Sequence, residues 1–237
     1  MVIDVHAHIL PGVDDGAKNI SMTMDMLIKS SKAGVKKVVA TPHFYPWGEQ
    51  TAPGDIRKLC KEIQEKLQME QGIEMEIYPG QEVFYQVGMV EELKTGTVLT
   101  LADSRYVLLE FMPDENFSVI YHAVRELINS GYIPVLAHVE RYVCLKKTDN
   151  LLMLKDCGAW FQMNIDSIKG GLFSKIGNWS RKLLKDEMID IVSSDMHNTE
   201  VRGPYTKEKK EMLLKIVGEE YMTKLLYENC ERIICDI

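Results

Sequence analysis

The sequence has few cysteines, and none of them stands in a spacing typical of a disulfide framework or a thiolate metal site. The five cysteines are an odd number, form no CxxC pair and are scattered through apolar or helical segments. Fourteen methionines would be open to oxidation outside a reducing compartment. We therefore expect the protein to work in the reducing interior of a cell, in the cytoplasm.

Long apolar runs and an excess of basic residues are also missing. No segment approaches the roughly 18 consecutive apolar residues of a membrane-spanning helix, and the N-terminal MVIDVHAHIL lacks the basic start of a signal peptide. Lys and Arg number 28 against 35 Asp and Glu, and the net charge of −7 argues against non-specific nucleic-acid binding. We expect neither membrane insertion nor a nucleic-acid partner, and the composition leaves the oligomeric state open.

Seven short apolar or β-branched runs alternate with segments whose apolar residues recur every three or four positions. This alternation predicts a parallel sheet with helices against it, which is the α/β class. The 237 residues contain no linker or repeat, so we predict a single domain, residues 1–237, with a closed or nearly closed barrel. A strongly helical tail, Lys207–Leu226, is expected to pack outside the barrel. The predicted strands are Val2–Val5, Val35–Ala40, Met75–Tyr78, Tyr106–Leu109, Ile133–Ala137, Trp160–Met163 and Ile189–Ser193.

Residues that can bind metal ions follow six of these strands. In α/β barrels the C-terminal ends of the strands form the rim on which active sites are built. Five of the six histidines lie there, whereas His122 lies in the middle of a predicted helix and is given no role. The rim residues, in chain order, are His6, His8, His43, Glu82, Glu110, His138, Asp195 and His197.

The pair His6 and His8 suits two bonds to one metal ion, because alternate side chains of a strand point to the same side. Imidazoles and carboxylates without thiolates suit Zn, Mn or Fe. Each residue taken singly could be an ordinary rim residue or an ion-pair partner. Eight such residues at six strand ends are hard to obtain by chance, so we predict a metal site on the rim.

Six motifs resemble one known family. They are DVHAHILPGVDDGA, ATPHFYP, GQEVFY, VLLEF, VLAHVERY and SSDMHN. The chain is similar to the polymerase-and-histidinol-phosphatase (PHP) superfamily and, more narrowly, to the bacterial CpsB-type tyrosine phosphatases of capsule and exopolysaccharide synthesis. The resemblance runs from residue 4 to residue 204 when NTEVRGP is included, so it covers nearly the whole chain.

The resemblance implies a distorted (β/α)7 barrel with a three-metal site, with Mn²⁺ as the foremost metal and Fe or Zn as alternatives. In the pair Asp14 and Asp15 the family pattern favours Asp15, and Asp14 remains a lesser alternative that could cap the following turn. The implied ligands are His6, His8, Glu82 and Asp195 for the first metal, Glu82, Glu110 and His138 for the second, and Asp15, His43 and His197 for the third.

The resemblance also implies that Arg141 and Arg202 bind phosphate, and that these two residues and His43 are catalytic. Three divalent cations would bring six positive charges against four carboxylates, and the excess of two matches a phosphate monoester dianion. A hydroxide that bridges two such cations would attack phosphorus while Arg141 holds the equatorial oxygens. The alternative for Arg141 is a surface ion pair with Glu140.

The implied activity is metal-dependent hydrolysis of phosphotyrosine on a bacterial tyrosine kinase that regulates capsular or exopolysaccharide synthesis. One alternative is a small-molecule phosphomonoesterase that acts on a substrate such as histidinol phosphate. Another is a catalytically silent, metal-binding regulatory domain. The ERY and DMHN motifs favour the tyrosine phosphatase, and the intact ligand set argues against a silent domain.

A cysteine-based phosphatase is excluded by spacing, because that chemistry needs an arginine six positions after the cysteine. The residues six positions after the first four cysteines are Lys66, Asn150, Met163 and Asp236, and Cys235 is too near the end. No cysteine is therefore assigned as a nucleophile.

Aromatic residues also stand beside the candidate ligands, in the motifs around His43 and Glu82. Aromatic side chains near a phosphate site could pack on a phosphotyrosine ring, although ordinary loop packing is an equal alternative for each of them. These residues are Phe44, Tyr45, Trp47, Phe84 and Tyr85.

Overall fold

The computed structural model describes residues 1–48, 50–170 and 174–236. The strands in these ranges are β1 (Val2–Ala7), β2 (Val35–Ala40), β3 (His43–Phe44), β4 (Glu76–Pro79), β5 (Glu82–Phe84), β6 (Tyr106–Glu110), β7 (Ile133–Leu136), β8 (Trp160–Asn164) and β9 (Ile191–Ser193). The α-helices are α1 (Ile20–Lys32), α2 (Pro53–Gln71), α3 (Met89–Thr95), α4 (Phe117–Asn129), α5 (Thr148–Asp156), α6 (Lys175–Lys185), α7 (Lys207–Thr223) and α8 (Asn229–Cys235).

The strands pair in parallel in two curved sheets. One sheet has the order β1-β2-β4, and the other has the order β3-β5-β6-β7-β8-β9. The chain passes from β2 directly into β3 and from β4 directly into β5, so two of the seven predicted strand paths are each split between the sheets. Within the described ranges, β3 and β5 are thus short strands in addition to the seven that the sequence pattern predicts.

Both breaks have a local cause. Pro42 separates β2 from β3, and a proline cannot donate a hydrogen bond to a neighbouring strand. Gly80 separates β4 from β5 at a point where a β-carbon would lie 2.9 Å from a methyl group of Val39. The close approach at Gly80 therefore requires a residue without a side chain.

The first and last strands meet and close the ring of strand paths. Ala7 forms a parallel bridge with Met196. The amide of Asp195 donates to the carbonyl of His6 at 2.9 Å, and the amide of His8 donates to the carbonyl of Met196 at 2.9 Å. The predicted α/β barrel is confirmed, and its two terminal segments join at the rim.

The end of the barrel opposite the rim is filled by apolar side chains. Ile3, Leu108, Val135 and Ile191 from four strands form one buried cluster with Ile233 of α8. A second buried cluster lies between the sheets and the surrounding helices. In α2, Ile56, Cys60, Ile63 and Leu67 recur at helical spacing and face this second cluster.

The C-terminal tail differs from the predicted helix Lys207–Leu226. Helix α7 ends at Thr223, and a single π-helical turn, Lys224–Glu228, connects it to α8. Gly218 interrupts α7 with a φ of 76°. The tail therefore changes direction at Gly218, and its last helix packs on the apolar cluster of the barrel interior. None of the helices in the described ranges combines the length and the apolar character that a membrane crossing requires.

Candidate metal centre

The structure brings all nine predicted ligands to one place at the C-terminal ends of the strands. A register shift between Asp4 and Ala7 interrupts the regular pairing of β1 with β2, and such interruptions often re-aim side chains beside an active site. Three sets of potential ligand atoms lie within 4.8 Å of one another: His8, Asp15, His43 and His197; His6, His8 and Asp195; and His43, Glu82 and Glu110.

Glu82 lies at the centre of the cluster and is almost fully buried. Its Oε2 atom is 3.2 Å from Nε2 of His6, 3.1 Å from Nε2 of His8 and 3.2 Å from Nδ1 of His43. Its Oε1 atom is 3.0 Å from Nε2 of His138. The two oxygens therefore face different histidines, which is the arrangement that a bridging ligand requires.

Asp195 approaches the same two histidines of β1 from the last strand. Its Oδ1 atom is 3.5 Å from Nε2 of both His6 and His8. Asp195 and His138 adopt left-handed backbone conformations, with φ values of 50° and 33°. Such conformations are strained for residues other than glycine and occur preferentially at functional sites.

The structure separates the two candidate aspartates. Asp14 accepts hydrogen bonds from Nδ1 of His8 at 2.7 Å, from the amide of His43 at 3.1 Å and from the amide of Gly16 at 2.9 Å. Asp15 instead places Oδ1 3.2 Å from Nε2 of His197 and 3.4 Å from Nε2 of His43. Asp15 thus lies among the ligand atoms, whereas Asp14 orients His8 from behind.

The ligand sets seen in the structure overlap those implied by the resemblance without coinciding with them. His43 lies near both Asp15 and Glu110, so it stands between the second and third sets. His138 falls outside the three sets, although its Nε2 atom is 3.0 Å from Glu82 and 3.3 Å from Glu110. The division of ligands among individual metal ions is therefore less sharp than the resemblance implies.

The carboxylates create a strongly negative local potential. Burial alone would lower the pKa of His8, but hydrogen bonds to Asp14 and Glu82 outweigh it and raise the pKa to about 9. His43 and His138 are likewise buried, yet bonds to carboxylates raise their pKa values to about 11 and about 9. An environment that stabilises positive charge on several imidazoles also stabilises a bound cation.

Several atoms of the cluster suit a cation better than a hydrogen bond. Among the described residues, five buried atoms of the predicted ligands make no hydrogen bond of good geometry: Nδ1 of His43, Oε2 of Glu82, Oε2 of Glu110, Nδ1 of His138 and Nε2 of His197. Buried polar atoms are rarely left without one. The donor set of imidazole nitrogens and carboxylate oxygens matches the ligands of Mn, Fe and Zn. The residues therefore fit a centre of several divalent cations.

Both predicted arginines reach this cluster through Asp195. Nη2 of Arg141 is 3.1 Å from Oδ2 of Asp195, and Nη2 of Arg202 is 2.8 Å from Oδ1. The side chains are 34% and 36% exposed, so both guanidinium groups also face solvent. Glu140, the alternative partner of Arg141, is instead buried and accepts hydrogen bonds from the amide of Asn164 and the hydroxyl of Ser167.

Three of the five predicted aromatic residues form a continuous stack beside the cluster. The ring of Tyr45 stacks on His43 with centroids 4.7 Å apart, and Trp47 stacks on Tyr45 at 5.6 Å. Phe84 meets the edge of Trp47 at 5.0 Å, and Trp47 is 60% exposed. The other two turn inward, because Phe44 is buried in β3 and Tyr85 packs against Phe111.

Sequence reasoning missed two polar residues in contact with the cluster, Gln162 and Asn164 of β8. Gln162 lies 3.0 Å from His6, and Asn164 lies 2.5 Å from Asp195. The signal was present in the segment WFQMN, where polar residues two apart occupy one face of a buried strand. An amide side chain is not a typical metal ligand, so the pattern alone does not mark these two residues as part of a metal site.

Known proteins are similar to this chain in sequence and in fold. A family model described as "Capsular polysaccharide synthesis, CpsB/CapC" matches residues 2–235. The tyrosine-protein phosphatase YwqE of Bacillus subtilis is 30% identical over 98% of this chain and 91% of its own length. The tyrosine-protein phosphatase CpsB of Streptococcus pneumoniae is 29% identical over 99% of both chains.

Solved structures agree. A chain from the crystal structures of YwqE and CpsB, described as unique metal-dependent tyrosine phosphatases, superposes with a TM-score of 0.90 at 30% identity, over 99% of this chain and 94% of that one. The phosphotriesterase of Mycobacterium tuberculosis reaches a TM-score of 0.57 at 12% identity, over 99% and 93% of the two chains. The second likeness concerns the barrel alone.

Proposed function

The chain belongs to the CpsB/CapC family of capsular polysaccharide synthesis, and on that premise we propose that residues 1–237 form one domain that hydrolyses phosphotyrosine with the help of bound divalent cations. The observation that carries the proposal is the pairing of a buried imidazole–carboxylate cluster with two partly exposed arginines that contact the same aspartate. A metal-dependent phosphomonoesterase needs both parts. The family relatives are named tyrosine phosphatases, which favours this activity over the histidinol phosphatase and the silent domain.

The proposed metal ligands are the nine residues of the cluster, with three metal ions in all and Mn²⁺ as the proposed metal. Divalent cations held there would supply a bound water acidic enough to act as a nucleophile near neutral pH. The protein keeps the donor atoms in place by burial, since His6, His8, Glu82 and Asp195 are at most 1% exposed. Rigid, buried ligands cost little reorganisation when charge develops on the substrate.

Arg141 and Arg202 are the proposed phosphate-binding residues. A guanidinium group presents a planar set of N–H donors that can hold two phosphate oxygens at once. Asp195 orients both side chains, one on each of its oxygens, so the arginines are arranged before the substrate arrives. Among the described residues, Nε of Arg202 is a buried donor without a partner, and it is therefore available to a phosphate oxygen.

The aromatic stack supports an aryl rather than an alkyl phosphate. Tyr45 covers the outer face of His43, and Trp47 extends the apolar surface away from the cluster. A tyrosine ring whose phosphate reaches the arginines would extend outward over such a surface. We propose that His43 has two tasks, as a metal ligand and as the base on which this aromatic surface rests.

The proposed substrate is a phosphotyrosine of a bacterial tyrosine kinase that regulates capsular or exopolysaccharide synthesis. The family description supports the link to capsule synthesis, and the relatives' names support the phosphotyrosine. Five cysteines outside any disulfide are consistent with an encounter in the cytoplasm.

The direct test is a comparison of substrates. Purified protein is assayed on a phosphotyrosine peptide, a matched phosphoserine peptide, histidinol phosphate and a generic aryl phosphate, each with and without added Mn²⁺. We expect Mn²⁺-dependent turnover that is fastest on the two aryl phosphates. Preferential turnover of histidinol phosphate would support the small-molecule phosphatase instead, and no turnover of any substrate by metal-loaded protein would support the silent domain.

A further inference from the structure

Strand β8 contributes none of the proposed metal ligands, yet two of its side chains contact three of them. These ligands are His6, His138 and Asp195. We infer that Gln162 and Asn164 are positioning residues that fix the proton on His6 and direct one oxygen of Asp195 toward the metal centre. The inference rests on the proposed ligand roles of His6 and Asp195. Both amides are buried, Gln162 completely and Asn164 to 4% exposure.

The two amides form one hydrogen-bonded chain along the inner face of β8. Oε1 of Gln162 is 2.7 Å from the backbone amide of His138 and 3.0 Å from Nδ1 of His6. Nε2 of Gln162 lies 2.9 Å from Oδ1 of Asn164. Nδ2 of Asn164 lies 2.5 Å from Oδ2 of Asp195. Side chains two apart on a strand share a face, which places the two amides in line.

The backbone of His138 determines which groups donate and which accept along these hydrogen bonds. A backbone N–H can only donate, so the atom of Gln162 that faces it must be the carbonyl oxygen. The same oxygen faces Nδ1 of His6, and that nitrogen must therefore carry the proton. Nε2 of His6 is left with its lone pair, and this atom lies among Glu82 and Asp195 where a cation would bind.

The same donor–acceptor order extends through Asn164 to Asp195. Because Gln162 uses its carbonyl on the histidines, its amide N–H donates to Asn164, and Asn164 in turn can only donate to Asp195. Asp195 thus receives this bond on Oδ2, while Oδ1 lies toward His6 and His8. The left-handed backbone of His138 points its N–H at Gln162.

The test uses the full-length chain and does not depend on activity. Gln162→Met keeps the length of the side chain but removes both polar atoms. Nitrogen NMR of labelled histidine, before and after titration with diamagnetic Zn²⁺, reports which nitrogen of His6 carries the proton, and a His6→Asn variant assigns the signal. We expect a protonated Nδ1 in the parent chain, a mixture of tautomers in Gln162→Met, and a fall of about 10–100-fold in Mn²⁺ affinity by calorimetry.

A second variant distinguishes positioning from mere packing. Gln162→Glu can still accept from both His6 and His138, so the proton should stay on Nδ1. Met163→Leu, on the opposite face of the same strand, is the matched control and should change neither the tautomer nor the Mn²⁺ affinity. If Gln162→Met fails to fold, Asn164→Leu removes the donor to Asp195 and is expected to weaken Mn²⁺ binding to a similar extent.

The inference is overturned if Gln162→Met keeps the parent tautomer and binds Mn²⁺ within twofold, on the order of measurement error, even if its melting temperature falls. That result would give the amides a structural role only. The proposed phosphatase activity would stand in that case, because it is measured separately on the parent chain. Conversely, absence of phosphatase activity with the expected tautomer shift would leave the positioning role intact.

Discussion

The two ends of the barrel differ in the side chains that fill them: one is charged and the other is apolar. At the rim, acidic and imidazole groups lie 3.0–3.5 Å apart, and two residues hold strained backbones. At the other end, Ile3, Val135 and Ile191 pack with Ile233 of α8 in a cluster that is closed to solvent. Burial of carboxylates and strained backbones cost stability, whereas apolar burial contributes it. The comparison teaches that the apolar end stabilises a rim that is arranged for binding.

Removal of the metal ions should have the largest effect, and it should act at the rim alone. Dialysis against EDTA is expected to abolish hydrolysis of an aryl phosphate. No cysteine stands six positions before an arginine, so the expected nucleophile is a metal-bound water. Addition of Mn²⁺ should restore the activity. Circular dichroism checks that the barrel stays folded throughout. Full turnover by protein shown to be free of metal would contradict the proposed mechanism.

Arg141→Ala should come next, with a fall of about 10²–10³ in kcat, or roughly 3–4 kcal/mol. The reason is that a donor to developing charge on the phosphate is lost while the buried ligands remain. Arg105→Ala, which breaks an ion pair with Asp236 near α8, is the matched control at the other end and should leave kcat unchanged. Kinetics and metal content are measured together.

The result would be read differently if metal were lost as well. A wild-type kcat in Arg141→Ala with full metal occupancy would refute the phosphate-binding role. Loss of metal in the variant would show that Arg141 supports Asp195 instead.

Metal binding should strengthen as the pH rises. His8 and His138 have pKa values raised to about 9, and His43 to about 11, so near pH 7 these imidazoles hold protons that a cation must displace. Affinity should therefore rise between about pH 6 and pH 9, by about tenfold per pH unit for each displaced proton. Calorimetry in two buffers of different ionisation enthalpy counts the protons released. An affinity that falls with pH would contradict the electrostatics described above.

Ile233→Ala, at the apolar end, should lower stability and leave catalysis unchanged. The side chain is completely buried between α8 and the barrel interior, so its truncation is expected to lower the free energy of unfolding by about 2–4 kcal/mol. The kcat of the folded variant should stay near that of the parent chain. Urea unfolding and steady-state kinetics test both expectations. A large drop in kcat at full metal content would mean that the two ends are coupled.

Alkylation of the cysteines should have the smallest effect. Burial raises the pKa of the Cys60 thiol to about 12 and that of Cys230 still further, so both should resist iodoacetamide. The exposed Cys235 should react first. Mass spectrometry identifies the modified residues, and turnover of the native, modified enzyme should be unchanged. A folded but inactive product would show that a thiol takes part in the reaction.

The clustering of the proposed ligands could be predicted because their positions at strand ends depend on local pattern. His43 and Glu82 each follow an apolar run, and parallel strands bring their ends to one edge, where these two residues are directly paired in the sheet. That inference needs only the strand period and the parallel topology. The choice between Asp14 and Asp15 came from the resemblance, and it is the turn at Gly16 that points one carboxylate inward and the other behind His8.

The amides of β8 could not be predicted in the same way. Gln162 contacts His6 across 156 positions of the sequence, and its orientation is decided by the backbone of a third residue, His138. The break at Gly80 is similar, since it depends on Val39 of a neighbouring strand. Features set by contacts between distant segments become visible only when the fold is known.

The junction of β1 with the end of β9 has a consequence for biosynthesis. Ser194 donates to Asp4 across 190 positions, so the rim closes only when nearly the whole chain is available. Contacts this distant in sequence are the slowest to form, because the entropy of closing the loop must be overcome first. On the ribosome, an emerging chain would hold His6 and His8 long before Asp195 is synthesised. The proposed set of nine ligands is therefore complete only after nearly all of the chain has been synthesised.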